Sequence, residues 1–210
     1  MPLSPGFSRK LISVKQKQPD VVTPNGDAAR ITTVVLRAEY FQTRYQQLGD
    51  IDDLNGAISF YREALLLYPP AHPGRSGSFN APACHLSFRY ERLGLIDDLS
   101  EAIVLTRGAL ALCPPGHLRR VTFLNNLAVH LSSRYEQLGG VNHLEESIAP
   151  CAEALSLCPP GHADRPKSLN NLAIRLSSRY EKLGRIDDLN EAIVVSREAL
   201  THTHLDTLSV

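Results

Sequence analysis

Ser168–Leu200 reads SLNNLAIRLSSRYEKLGRIDDLNEAIVVSREAL. Leu169, Leu172, Ala173, Leu176, Tyr180 and Leu183 fall three or four residues apart, which lays one apolar stripe along a helix. Gly184 then offers the positive φ with which helices commonly end. Ile186, Leu189, Ala192, Ile193, Ala199 and Leu200 form the stripe of a second helix, with Asp187 and Asp188 in its first turn, at the positive end of the macrodipole. Upstream, Asp164 is placed as an N-cap and Pro166 lies just inside the start, where a missing N–H costs nothing. Neither helix can bury its stripe alone. The phrase Arg-Tyr-x-x-Leu-Gly recurs at Arg44–Gly49, Arg89–Gly94, Arg134–Gly139 and Arg179–Gly184, 45 residues apart each time. A fixed period of that length marks an array in which each unit packs on its neighbours.

The expected organisation is a disordered tail over residues 1–26, repeats over about 27–71, 72–116, 117–161 and 162–202, and a C-terminal tail over 203–210. The basic, acid-poor start (Arg9, Lys10, Lys15 and Lys17 before the first acid, Asp20) also fits a transit peptide, though no amphipathic pattern is sustained. The chain has 210 residues, 43% of them hydrophobic, with 22 basic and 22 acidic side chains. That balance lacks the basic excess of a nucleic-acid binder. No apolar run reaches the roughly 18–20 residues that cross a membrane. The four cysteines show no CxxC spacing and read as small buried residues, which makes a reducing, cytoplasmic setting the default expectation.

Between repeats stands Cys-Pro-Pro-Gly-His (113–117 and 158–162) or Tyr-Pro-Pro-Ala-His (68–72), whose prolines stop one helix and stiffen the link. His72, His117 and His162 therefore recur in equivalent loops. Stacked helices lie on the order of 8–10 Å apart, too far for a shared zinc ion with nitrogen ligands at about 2 Å, so a loop hydrogen bond is expected. Arg44, Arg89, Arg134 and Arg179 flank the buried stripe and are expected to pair with acids of the second helix. Those acids are Asp98 and Asp188, with Glu145 or Glu146 serving in the third repeat. Pro82 stands where Leu127 and Leu172 stand later, so that helix should start late, capped by Asn80, or bend. Gly108 and Pro150 interrupt second helices and read as weak points, costing about 1 and about 3 kcal/mol respectively. Cys84 and His85 are adjacent and so do not face each other on a helix. No phosphate loop, HExxH or nucleophile elbow occurs. The expectation is a non-enzymatic protein with no cofactor and no metal.

The second helices carry Ala57-x6-Ala64-x4-Pro69, Ala102-x6-Ala109-x4-Pro114 and Ser147-x6-Ala154-x4-Pro159, beside a small residue in the first helix (Ala83, Ala128, Ala173). This pattern resembles the tetratricopeptide repeat, here in a 45-residue rather than the usual 34-residue form. With Leu-Asn-Asn-Leu-Ala and Pro-Pro-Gly-His it looks like arrays of fungal proteins, some joined to a CHAT-type, caspase-like peptidase domain. Leu-Asn-Asn-Leu-Ala also resembles the repeats of kinesin light chains. A HEAT or armadillo array is the runner-up on period alone. The resemblance spans about residues 28–202 and implies an all-α fold: an α-solenoid of four helix-turn-helix repeats in a right-handed superhelix.

The resemblance further implies that first helices line a concave groove. Carried over, its positions are Asn80, Asn125 and Asn170, with Ser132 and Ser177 beside them and Cys84, Val129 and Ile174 as apolar neighbours. Val35 replaces the asparagine in the first repeat. A row of carboxamides can pair with the backbone of an extended peptide, or can cap and bridge helices inside the array, and both readings stand. Only Lys167 and Arg175 would serve a carboxylate. The expected function is a scaffold that holds a peptide or protein segment. The alternatives are the regulatory part of a CHAT-type peptidase and a decayed array. The last helix is expected to end near His202 with its outer face uncapped, for which a second copy of the chain, a partner, or a longer array are the three accounts. The ending Leu208-Ser209-Val210 also fits a β-augmentation groove.

Overall fold

Gly49, Gly94, Gly139 and Gly184 all have φ near +70°, and each donates its N–H to the carbonyl of the tyrosine four residues before it, at 2.7–2.8 Å. A side chain is strained in that left-handed conformation, so glycine fixes the end of every first helix. The computed structural model describes residues 27–70 and 72–207 and contains eight helices among them. They are α1 (Asp27–Leu48), α2 (Ile51–Leu67), α3 (Arg75–Leu93), α4 (Ile96–Ala111), α5 (Arg120–Leu138), α6 (Val141–Ser156), α7 (Arg165–Leu183) and α8 (Ile186–Thr207). Residues 1–26 and 208–210, on which the tail, transit-peptide and C-terminal peptide readings fall, lie outside the described residues.

Helices pair as hairpins (α1 with α2, α3 with α4, α5 with α6, α7 with α8), and each second helix packs on the first helix of the next hairpin. The backbones of α3, α5 and α7 also approach one another in turn, whereas no two second helices do so. The first helices therefore form the inner layer of an α-solenoid. Its core is a succession of apolar clusters along the stack, each drawn from adjacent helices. Ala57, Ala64, Ala102, Ala109, Ser147 and Ala154 are wholly buried, as are Ala83 and Ala128 on the first helices. Small side chains here let two helix axes come close enough for Leu54, Leu99 and Leu144, each fully buried, to fill the space between hairpins. Cys113, Cys151 and Cys158 are free thiols within this core.

Four local expectations are corrected. α3 starts at Arg75 with Gly74 at its N-cap and includes Pro82, so it does not start late and Asn80 is not its cap. Pro82 is almost fully buried, and packing of its ring offsets the lost backbone hydrogen bond. Asp164 makes no side-chain cap; its backbone N–H instead donates to His162 Nδ1 at 3.1 Å. The same loop bond joins Gly74 to His72 and Arg119 to His117, as expected for those histidines. Gly108 is no mere interruption. A Cβ there would lie 2.8 Å from the Phe79 ring, so the glycine makes room for that ring. α8 continues to Thr207, beyond the expected end near His202.

Candidate functional site

Two arginine series fix the geometry of the inner layer. Arg89 and Arg179 each grip a buried aspartate of the following helix with both Nε and Nη2, Asp98 at 2.7 Å and Asp188 at 2.6–2.8 Å. Arg44 approaches Asp53 at 3.4 Å, and Arg134 reaches Glu146 at 2.6 Å. The hydrogen bonds from Arg179 hold the Asp188 carboxyl below its ordinary range, and Asp98 raises Arg89 in turn. These internal pairs match the expectation for the recurrent arginines. The other series, Arg75, Arg120 and Arg165, went unread in the sequence. Each donates to the carbonyl that closes the preceding second helix: Tyr68, Cys113 and Cys158. A cation at a helix C-terminus is favoured by the macrodipole. Arg120 and Arg165 also bond Glu153 and Glu198, whereas Arg75 lies over the Phe79 ring, 5.4 Å from its centroid. Gly108 stands where those glutamates stand. One repeat has thus exchanged an acid for an aromatic ring.

The asparagines form a ladder between repeats. Asn126 Nδ2 donates to Asn80 Oδ1, and Asn171 Nδ2 to Asn125 Oδ1, both at 3.0 Å. Asn125 Nδ2 in turn donates to Ser168 Oγ at 3.1 Å. Asn125 is buried at 1% exposure with its carboxamide engaged on both sides, and it bridges hairpins. Asn80 is half-buried and also bonds Cys84 Sγ. Burial pushes the Cys84 thiol up, against the lowering by the Asn80 bond. Ser132 is buried and donates to Glu136. Asn126 and Asn171, the donors, were visible in the sequence as the second residue of each Asn-Asn pair. The first interface lacks the ladder on both sides at once: Val35 stands at the acceptor position and Ala81 at the donor position.

Of the anticipated groove positions, Asn170 and Ile174 are exposed, and Val129 and Ser177 are partly so. Cys84, Val129 and Ile174 make one apolar row across α3, α5 and α7, with the polar Asn126, Ser133 and Ser178 alongside and the exposed Phe88 at one end. Arg175 is 8% exposed, its Nε has no hydrogen-bond partner, and burial lowers its pKa. His130 is buried with both ring nitrogens unpartnered, and burial pushes its pKa down to about 4. Among the described residues no three His, Cys, Asp or Glu side chains cluster to hold a metal. No described helix is long and apolar enough to cross a membrane.

No protein-family model matches the sequence, and no curated protein matches it. Among solved structures, the DHF58 filament superposes with a TM-score of 0.53 at 20% identity, over 86% of this chain and 96% of that one. The de novo designed helical repeat protein DHR64 gives a TM-score of 0.48 at 18% identity, over 85% and 95%. At such identity the first likeness speaks to fold alone. The order of the helices and that likeness agree: the chain is a helical-repeat α-solenoid.

Proposed function

We propose that the array is a tetratricopeptide-type scaffold that holds an extended protein segment along its inner layer. The observation that carries this reading is the row Cys84, Val129, Ile174, one at least partly exposed apolar side chain on each of α3, α5 and α7, flanked by carboxamides and hydroxyls. First helices about 8–10 Å apart present such a side chain about every three residues of an extended strand, which rises about 3.3 Å per residue. Apolar contacts then supply affinity and the polar flank pairs with the segment's backbone. The complete burial of the small residues Ala57, Ala102 and Ser147 supports the tetratricopeptide kinship. The engagement of Asn125 and Ser132 inside the array moves the weight of the groove from the asparagine row to this apolar row. The test is a peptide-display selection on the purified chain, followed by the Val129→Asp/Ile174→Asp variant. A loss of affinity of at least about tenfold with an unchanged melting curve is expected, since a charge on a desolvated contact is costly. Undiminished binding to the double variant rules the groove out.

A further inference from the structure

Where the α2–α3 loop meets the α4–α5 loop, a cleft of about 240 Å³ opens to solvent, lined by Pro70, His72, Pro73, Ser76, Leu112 and His117. Pockets for drug-sized ligands run to roughly 300–1,000 Å³, so this one suits a single small group. Its polar members are hydrogen-bond donors. The Nδ1 atoms of His72 and His117 accept the backbone N–H of Gly74 and of Arg119. Each neutral ring therefore carries its proton on Nε2, which makes it a donor and not a metal ligand. Ser76 is 4% exposed, and its hydroxyl has no hydrogen-bond partner among the described residues. No side chain caps α3, and the N–H groups of Ser76 and Gly77 in its first turn find no acceptor among the described residues.

The charges agree with the donors. Arg119 Nη1 lies over the first turn of α3, where a Cβ on Gly77 would meet it at 2.7 Å. A cation there faces the positive end of the macrodipole, a place that favours an anion. Arg119 has no ion pair among the described residues, and Arg75 bonds only the carbonyls of Leu65 and Tyr68. No Asp or Glu stands between Glu63 and Glu91, or between Glu101 and Glu136. In the next loop Asp164 holds the place of Arg119, and Val121 on α5 holds that of Ser76, so this donor set is not repeated there. We propose that the cleft binds a phosphate group, held by Ser76 and the free N–H groups of α3, by the two imidazole N–H donors and by Arg119. A tetrahedral oxyanion has acceptors enough for such a set. Pro70, Pro73 and Leu112 offer an apolar wall to the organic part of a phosphate monoester.

The test is calorimetric titration of the full chain with inorganic phosphate and with phosphoserine, into the millimolar range at fixed ionic strength. Saturable binding is expected, with a matching rise in melting temperature. Tighter binding of phosphoserine identifies an esterified phosphate, and equal binding identifies the free anion; both support the site. Arg119→Asp supplies from within the chain the negative charge that the ligand would bring. It is expected to raise the melting temperature in phosphate-free buffer and to weaken phosphate binding at least about tenfold. Ser76→Ala, which leaves the charges alone, should weaken binding by about threefold or more, and it carries the test should Arg119→Asp lose its fold. Absence of saturable binding by the folded wild type overturns the proposal. So does undiminished affinity in either folded variant.

Discussion

His130 shows what one buried side chain does to the whole chain's response to acid. Its folded pKa of about 4 lies below the value near 6.5 of an unfolded histidine. The unfolded state therefore binds the proton first. The stability is fully present above about pH 6.5, is lost as pH falls toward 4, and amounts to about 3 kcal/mol. His85, also lowered by burial, adds in the same direction. The melting temperature should fall across that window, and His130→Leu should flatten much of the fall while removing two unpartnered nitrogens. A wild-type profile flat between pH 6.5 and 4 would contradict the assignment. Gly108 makes the opposite point about propensity. Alanine is better than glycine in a helix by about 1 kcal/mol, yet a Cβ here meets the Phe79 ring at 2.8 Å. Gly108→Ala should destabilise by about 1–3 kcal/mol, as overpacking does, and a raised denaturation midpoint would refute this. The glycine was legible as a helix interruption, but its ring neighbour lies 29 positions away and belongs to another helix.

Within a hairpin, the arginine–acid pairs decide how firmly the two helices are joined. Asp188 keeps 5% exposure of its side chain and depends on Arg179, while Glu146 keeps 45% and has Arg107 at 3.6 Å as well as Arg134. Arg179→Met strands a buried carboxylate and should cost about 3–5 kcal/mol. Arg134→Met leaves a solvated acid with a second partner and should cost under about 1 kcal/mol. Urea denaturation of the two variants checks this, and equal losses would contradict it. The pairing itself could be read from sequence, since Arg179 and Asp188 recur in step. Its unequal strength follows from position on the second helix: Asp188 repeats the buried place of Asp53 and Asp98, which His143 holds in the third repeat, so the acid there is Glu146 from an exposed place on α6. The series Arg75, Arg120 and Arg165, by contrast, stayed hidden. Their acceptors are backbone carbonyls, which leave no mark in a sequence.

Across the whole molecule, stability is a sum of hairpins and the interfaces between them. Leu99 and Leu144 are covered on both sides, whereas Leu189 is open on one. Native-state hydrogen exchange should therefore be slowest in α4 and α5 and fastest in α8, with terminal hairpins opening first. Uniform protection along the chain would mean a single cooperative unit instead.

The sequence alone determined the period, the glycine and proline stops, the eight amphipathic helices and the stacking they require. These follow from local periodicity and backbone sterics, which act within a few residues of chain. Only the tertiary structure decided which carboxamides remain outside. Asn125 and Asn170 are the same residue in the same phrase, yet one is closed into a ladder by Asn171 and the other faces outward. The difference is the presence of a neighbouring hairpin, and burial is a property of what packs against a residue rather than of the residue itself.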